Sequence, residues 1–229
     1  MTTEVNVAAK APQAAAIPLS LFVFATFYGG MVTIAGVLGA KQVALGPLAV
    51  EAGIFAFLLL VITSSAVAEL HGRRTADRLV RLGFVPLVTA ILLTFFVIQL
   101  PTDAGMYEPA KAAFPIILGQ GWRLMAAGIV AYGISVTLNV YIFSKLSGSA
   151  GRLIAVRAAI ASVLSQIVDT LIFITIAFLG VRPIGELLLG QMLAKVVLSV
   201  IMVPPLIHLF VAIGRSLDAR GQESRSPLD

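Results

Sequence analysis

The sequence contains no cysteine and only two histidines. The absence of cysteine excludes a disulfide framework, a thiolate metal site and a cysteine nucleophile. His71 precedes a basic loop and His208 follows two prolines, so a histidine metal cluster is not expected. The sequence also lacks a Walker loop, G-x-G-x-x-G, H-E-x-x-H and G-x-S-x-G. We therefore expect no metal, no cofactor and no catalytic residues, which leaves a membrane enzyme as the weakest hypothesis.

Charged residues are also scarce, at 12% of the chain, whereas a soluble domain has about a quarter. Hydrophobic residues make up 59% of the 229 positions. These two values predict an integral membrane protein, in which each span takes about 20 residues. The chain is therefore long enough for several spans but not for a sizeable soluble domain beside them.

The apolar segments predict an all-α membrane protein with six transmembrane helices in one domain, residues 17–213. Residues 1–16 are interpreted as a cytoplasmic tail and 214–229 as a cytoplasmic, disordered tail. We expect a turn over 41–47, an interfacial loop or short surface helix within 101–121, and a bend or break at Pro204 and Pro205. The predicted spans are 17–40, 50–69, 79–100, 122–143, 157–180 and 187–213.

The net charge of +5 could indicate nucleic-acid binding, but the positions of the basic residues favour a different interpretation. Six spans place most of them on the side of both termini, which the positive-inside rule assigns to the cytoplasm. That side carries Lys10, Arg73, Arg74, Arg78, Arg81, Lys145, Arg152, Arg157, Arg215, Arg220 and Arg225. The other side carries Lys41, Lys111, Arg123 and Arg182, and Lys195 lies within the last span. We therefore predict a multi-pass inner-membrane protein that binds no nucleic acid.

The fifth span carries the strongest candidate site. Gln166 and Asp169 lie in the middle of an apolar segment, and an acid buried in hydrocarbon is costly and usually functional. Ser162, Gln166, Asp169 and Phe173 are spaced by four, three and four residues, so a helix places them on one face. Either this face contacts a solute, with Asp169 as a hydrogen-bond acceptor or carrier of a coupling proton, or Asp169 fastens the bundle through Lys195 or Arg123.

Four further polar residues are candidate site residues. Glu69 ends the second span, Arg123 begins the fourth, Asn139 lies within the fourth and Lys195 lies within the sixth. Lys195 needs a counter-charge, so it either pairs with Asp169 or Glu69 or contacts the solute. Asparagine can bind a solute or join helices. The candidate substrate-binding set is Glu69, Arg123, Asn139, Gln166, Asp169 and Lys195, with aromatic faces available from Tyr132, Phe143 and Phe173.

Three segments resemble the queuosine precursor transporter family, also described as vitamin uptake transporters. They are TSSAVAELHGRRTADRLVRLGF (63–84), WRLMAAGIVAYGISVTLNVYIFSKL (122–146) and RAAIASVLSQIVDTLIFITIAFLG (157–180), followed by a lysine-bearing last helix. Residues that match the family pattern are Glu69, Gly72, Arg123, Asn139, Arg157, Gln166, Asp169, Thr170 and Lys195. The chain departs from the pattern at Ser65, where the family has an acid, and at His71, where it has an aromatic residue.

The resemblance implies import of a 7-deazaguanine precursor of the tRNA base queuosine, such as 7-cyano-7-deazaguanine or its aminomethyl relative. The chain has no ATPase motif, so import would use the solute gradient, a coupling ion such as a proton, or a partner. The alternative is the substrate-capturing subunit of an energy-coupling factor vitamin transporter, docked through Ala25, Gly29 and Thr33 of the first helix. The expected partners are a small purine-like solute and the lipid bilayer, and a homo-oligomer stays open.

Overall fold

The computed structural model describes residues 17–45, 48–119, 122–146, 153–180 and 184–223. Within these ranges only the backbone is described for residues 42, 45, 48–51, 122–125, 186–187 and 222–223. The predicted N-terminal tail lies outside the described residues. The elements are α1 (Leu19–Gly39), β1 (Gln42–Leu45), β2 (Leu48–Glu51), α2 (Gly53–His71), α3 (Arg73–Gln99), α4 (Glu108–Leu118), α5 (Trp122–Lys145), α6 (Ile154–Phe178) and α7 (Gly185–Glu223).

Six of the helices in the described part of the chain are long and apolar enough to cross a membrane. They are α1, α2, α3, α5, α6 and α7, so the prediction of an all-α membrane protein with six spans is confirmed. Large apolar side chains such as Leu82, Phe95 and Ile201 remain about 60% exposed, as expected of surfaces that face lipid. The short surface helix expected within 101–121 is α4.

Two local features differ from the sequence-based predictions. Residues 42–45, within the expected turn, form β1, which pairs antiparallel with β2 so that Val43 lies opposite Val50. A pair of β-branched residues favours such a hairpin, and α2 consequently begins at Gly53. We expected a bend or a break at Pro204 and Pro205, and the break is wrong, because α7 continues through both residues. Neighbouring helices in a membrane can satisfy the carbonyls that a proline leaves without a donor.

α7 also extends to Glu223, beyond the predicted span end at residue 213 and into the segment expected to be disordered. A contact near its C-terminal end holds this extension against the bundle. Asp218 accepts hydrogen bonds from the Ser20 backbone nitrogen (2.9 Å) and hydroxyl (2.8 Å), and Ser20 Oγ also lies 2.7 Å from His71 Nε2. Polar tertiary contacts that sequence periodicity does not report therefore hold residues 214–218 in the helix.

The helices alternate in direction and leave two distinct ends of the bundle. One end carries the start of α1, the α2–α3 turn, the end of α5, the start of α6 and the end of α7. We call it the arginine-rich end, because Arg73, Arg74, Arg78, Arg81 and Arg157 lie there. The opposite end carries β1, β2 and α4, and we call it the hairpin end. The core between them includes Tyr28, Leu58, Ile62, Phe143 and Ile207, each at most 2% exposed.

Gly83 marks a close approach of α3 to α1 and α5. A Cβ atom added there would lie 2.6 Å from Cε1 of Tyr28 and 2.8 Å from the Tyr132 hydroxyl. These rings cannot move apart freely, because Tyr132 donates a 2.7 Å hydrogen bond to Tyr28 and both are buried.

We expect Gly83→Ala to destabilise the protein by about 1–3 kcal/mol. An extra methyl group in a well-packed core forces the neighbouring side chains out of their preferred positions, and a destabilisation of this size is typical of that change. Thermal unfolding of the purified protein in detergent measures the effect. Gly30→Ala is the matched control, because a Cβ atom at Gly30 has nothing within 4 Å. Equal melting temperatures for the two variants would contradict the packing argument.

Candidate functional site

An ion pair between α6 and α7 lies near the middle of the bundle. Lys195 Nζ donates a 2.9 Å hydrogen bond to Asp169 Oδ2, and Ser135 Oγ donates a 3.1 Å hydrogen bond to Asp169 Oδ1. Asp169 and Lys195 are each only 7% exposed. The sequence left either Asp169 or Glu69 as the counter-charge of Lys195, and in the structure Lys195 pairs with Asp169. Each carboxylate oxygen of Asp169 accepts one protein hydrogen bond and retains a second acceptor position.

A layer of uncharged polar groups lies about one helical turn from this pair toward the arginine-rich end. Asn139 Nδ2 lies 3.0 Å from Ser65 Oγ, 3.4 Å from Ser64 Oγ and 3.3 Å from the Val61 carbonyl oxygen. Gln166 is on α6, one turn from Asp169 on the same face, as the spacing predicted. Asn139 and Gln166 are both fully buried.

Several atoms of this polar region have no hydrogen-bond partner. Both amide atoms of Gln166 are in this state, as is Oδ1 of Asn139. The same holds for the hydroxyls of Ser162, Thr170 and Ser199. Buried polar groups nearly always have partners, and leaving one without a partner costs about 1–3 kcal/mol. These atoms therefore have unused hydrogen-bonding capacity, although none of these residues lines either of the two cavities described below.

A cavity of about 270 Å³ reaches Asp169 and Lys195 from the hairpin end. Its wall is mostly apolar and includes the rings of Tyr132 and Phe173. Drug-sized ligands usually occupy about 300–1,000 Å³, so this volume suits a smaller solute. Other lining residues come from α1, α2, α3, α4 and α5, among them Thr33, Gly36, Ile54, Leu87, Thr94, Ile117 and Gly128.

The contribution of α1 to the cavity was missed in the sequence analysis, which considered the small residues of this helix only as a docking face for a partner. Thr33 and Gly36 line the cavity, and Tyr28 fixes the orientation of Tyr132 through their hydrogen bond. The only sequence feature that could have indicated this role is the spacing of Thr33 and Gly36, three residues apart on one face of the helix. That spacing also fits close helix packing, so the sequence could not separate the two roles.

Glu69 lies away from this cavity, at the arginine-rich end. Its carboxylate is 3.2 Å from Nη1 of Arg157, and Nη2 of Arg157 donates a 3.2 Å hydrogen bond to the Phe143 carbonyl oxygen. The guanidinium also lies 4.4 Å from the centre of the Phe143 ring. Arg157 is 4% exposed and thereby joins the ends of α2, α5 and α6. The predicted set therefore divides between two levels of the bundle.

A second, open cavity of about 630 Å³ lies on the outer side of this contact. Glu69, Arg73, Lys145 and Arg157 line it together with Tyr141. The Arg73 guanidinium lies 4.7 Å and Lys145 Nζ 5.7 Å from the centre of the Tyr141 ring. The remaining predicted site residue, Arg123, is in the first turn of α5, and its side chain lies outside the described residues.

A family model described as "putative vitamin uptake transporter" matches residues 51–209, which include the polar layer, the ion pair and most of both cavities. The chain belongs to this family. A curated relative from Bacillus subtilis (strain 168), named "probable queuosine precursor transporter", is 30% identical and aligns over 72% of this chain and 73% of its own length. No solved structure gives a significant match.

The chain is therefore a vitamin uptake transporter family member, as its sequence blocks suggested, and a multi-pass bacterial inner-membrane protein. The family and the relative are described as transporters, not as enzymes. Within the described residues no group of three or more histidine, cysteine or carboxylate side chains is positioned to hold a metal ion. The cavity that reaches the ion pair is lined by the polar side chains of Asp169 and Lys195 and by the rings of Tyr132 and Phe173, among others.

Proposed function

We propose that the protein imports a small planar solute by secondary transport, and that a 7-deazaguanine queuosine precursor is this solute. The observation that carries the proposal is the Asp169 carboxylate, with acceptor capacity on both oxygens, at the end of a small cavity with aromatic walls. The name of the Bacillus subtilis relative supports the same solute class.

The chemistry of a guanine-like edge matches this carboxylate. Its ring N–H and exocyclic amino group are adjacent donors, which a carboxylate accepts as a bidentate pair. Asp169 can do so while it keeps its contacts with Ser135 and Lys195, because each oxygen has a second acceptor position. Tyr132 and Phe173 supply faces against which a planar ring can stack.

The polar layer around Asn139 and Gln166 supplies the remaining hydrogen bonds to the solute in this proposal. Neither Gln166 nor Asn139 lines the cavity, so in this proposal they meet the solute as it passes from Asp169 toward the arginine-rich end. The amide of Gln166 then offers one donor group and one acceptor to the carbonyl and ring nitrogens of the solute, and Asn139 Oδ1 offers another acceptor. Arg123 and Glu69 act at the two ends of the path in this scheme, before and after the buried site. The arginine-rich end and both termini face the cytoplasm, in keeping with the positive-inside rule.

Uptake by the purified protein tests this function. In proteoliposomes without any ATPase, we expect accumulation of radiolabelled 7-cyano-7-deazaguanine, with competition by unlabelled compound and none by adenine, which lacks the paired donors. Parallel thermal unfolding should show a higher melting temperature with the deazaguanine, because a ligand that binds the folded state stabilises it. Absence of both binding and uptake would refute the proposed solute.

The alternative, a substrate-capturing subunit of an energy-coupling factor transporter, requires a docking face on α1. Two of the three residues suggested for that face are not available to a partner. Gly29 lies against Pro86 of α3, and Thr33 lines the cavity inside the bundle. We therefore favour the self-sufficient importer. Uptake that depends on co-purifying ATPase subunits would reverse this preference.

A further inference from the structure

Each charged side chain buried in the described part of the bundle has a partner of opposite charge. The buried charged side chains there are Arg157, Asp169 and Lys195. Arg157 pairs with Glu69 at the arginine-rich end, and Asp169 pairs with Lys195 at the cavity. The polar residues between them, including Ser65, Asn139 and Gln166, carry no charge. The described solute site therefore has a net charge of zero before any solute enters.

A site without net charge distinguishes solutes by their own charge. A cation that enters a region of low dielectric constant without a compensating carboxylate loses its hydration and is strongly disfavoured. Here the carboxylate of Asp169 is already neutralised by an ammonium group 2.9 Å away. An uncharged solute exchanges only hydrogen bonds, for which each oxygen of Asp169 retains an acceptor position.

From this balance we infer that the site selects an uncharged solute and rejects its amine-bearing, cationic analogues. The inference rests on the proposed function and makes it narrower: within the deazaguanine class, the 7-cyano compound binds and the 7-aminomethyl compound, a cation at neutral pH, binds weakly. Lys195 acts as the internal cation that a charged solute would otherwise supply.

Two positions set this preference. The first is Lys195, whose removal would leave Asp169 free to compensate a cationic solute. The second is Ser65, which is fully buried and whose Oγ lies 3.0 Å from Asn139 Nδ2. A carboxylate at position 65 would add one negative charge to the polar layer while keeping an acceptor for Asn139. Lys195→Met and Ser65→Asp therefore give the same change in net charge at different places.

The test compares the Kd values of the 7-cyano and 7-aminomethyl compounds for purified protein at pH 7.5 by calorimetric titration. For the wild type we expect the cyano compound to bind at least tenfold more tightly. In Lys195→Met and in Ser65→Asp this ratio should fall at least tenfold. Lys195→Arg and Ser65→Asn keep the net charge and are the matched controls, whose ratios should stay within threefold of the wild type.

Each outcome has a defined meaning. Equal wild-type affinities for the two compounds would overturn the inference while leaving the proposed function intact. A ratio that shifts as much in Ser65→Asn as in Ser65→Asp would also overturn it, because shape and not charge would then decide. Binding of neither compound by the wild type would refute the proposed function and the inference together. If either Lys195→Met or Ser65→Asp does not fold, the Kd ratios of the other variant and of the wild type still test the inference.

Discussion

Asp169→Asn is expected to reduce deazaguanine binding at least a hundredfold and to abolish uptake in proteoliposomes. The substitution replaces one of two acceptor oxygens with an amino group, which repels the donors of the solute. Hydrogen bonds to a charged group contribute about 1.5–3 kcal/mol each, so loss of a bidentate contact accounts for a change of this size. Calorimetric titration and uptake of radiolabelled solute measure it.

The same substitution also affects folding, and the two effects can be separated. Asp169→Asn leaves the buried Lys195 ammonium without a counter-charge, and breaking such a pair costs about 3–5 kcal/mol. The double variant Asp169→Asn with Lys195→Met removes both charges and should recover most of the melting temperature. It should not recover binding, because the carboxylate is still missing.

Asp103→Asn is the control for this prediction, since Asp103 is an exposed acid at the hairpin end. It should bind and transport like the wild type. If the double variant regained both stability and tight binding, the Asp169–Lys195 pair would be a structural link between α6 and α7 and not the acceptor of the solute. That outcome is the interhelical alternative considered from the sequence.

The sequence predicted the membrane architecture because the signals that determine it are local. Apolar length defined the spans, and helical spacing placed Gln166 and Asp169 on one face, where the structure has them. The prolines of α7 show the limit of local rules. Pro204 and Pro205 break helices in water, but the surrounding bundle decides whether they do so in a membrane.

The buried charges of the candidate site were predictable as single residues, but their arrangement was not. Asp169 and Lys195 could be identified as buried charges from their segments alone, whereas their pairing depends on how α6 packs against α7. Glu69 shows the same limit. Its position at the end of the second span placed it at a different depth from Asp169, but only the tertiary structure shows that its partner is Arg157.

Glu69→Gln is expected to open the arginine-rich end of the bundle. It removes the carboxylate partner of Arg157, whose side chain is 5% exposed, and so weakens the contact that joins α2, α5 and α6. The chain has no cysteine, so a single introduced thiol reports access directly. Ser162→Cys suits this purpose, because Ser162 is fully buried between the Glu69–Arg157 contact and Asp169.

A charged maleimide should label this cysteine at least tenfold faster in Glu69→Gln than in the otherwise unchanged protein. Asp77→Asn is the matched control at the same end, because Asp77 pairs with the half-exposed Arg73 at 3.5 Å and such surface pairs contribute little. Its labelling rate should equal that of the parent. The charge-reversed double variant Glu69→Arg with Arg157→Glu should return the rate toward the parental value.

The affinity of Glu69→Gln for solute separates two roles of Glu69. If Glu69 contacts the bound solute, as first predicted, its substitution weakens binding at the cavity on the opposite side of the polar layer. If it holds the arginine-rich end closed, the Kd stays within threefold of the wild type while labelling and solute leak both increase. We expect the second result, because the Glu69 carboxylate contacts Arg157 and does not line the cavity that reaches Asp169. Weaker binding with unchanged labelling would return Glu69 to the solute site.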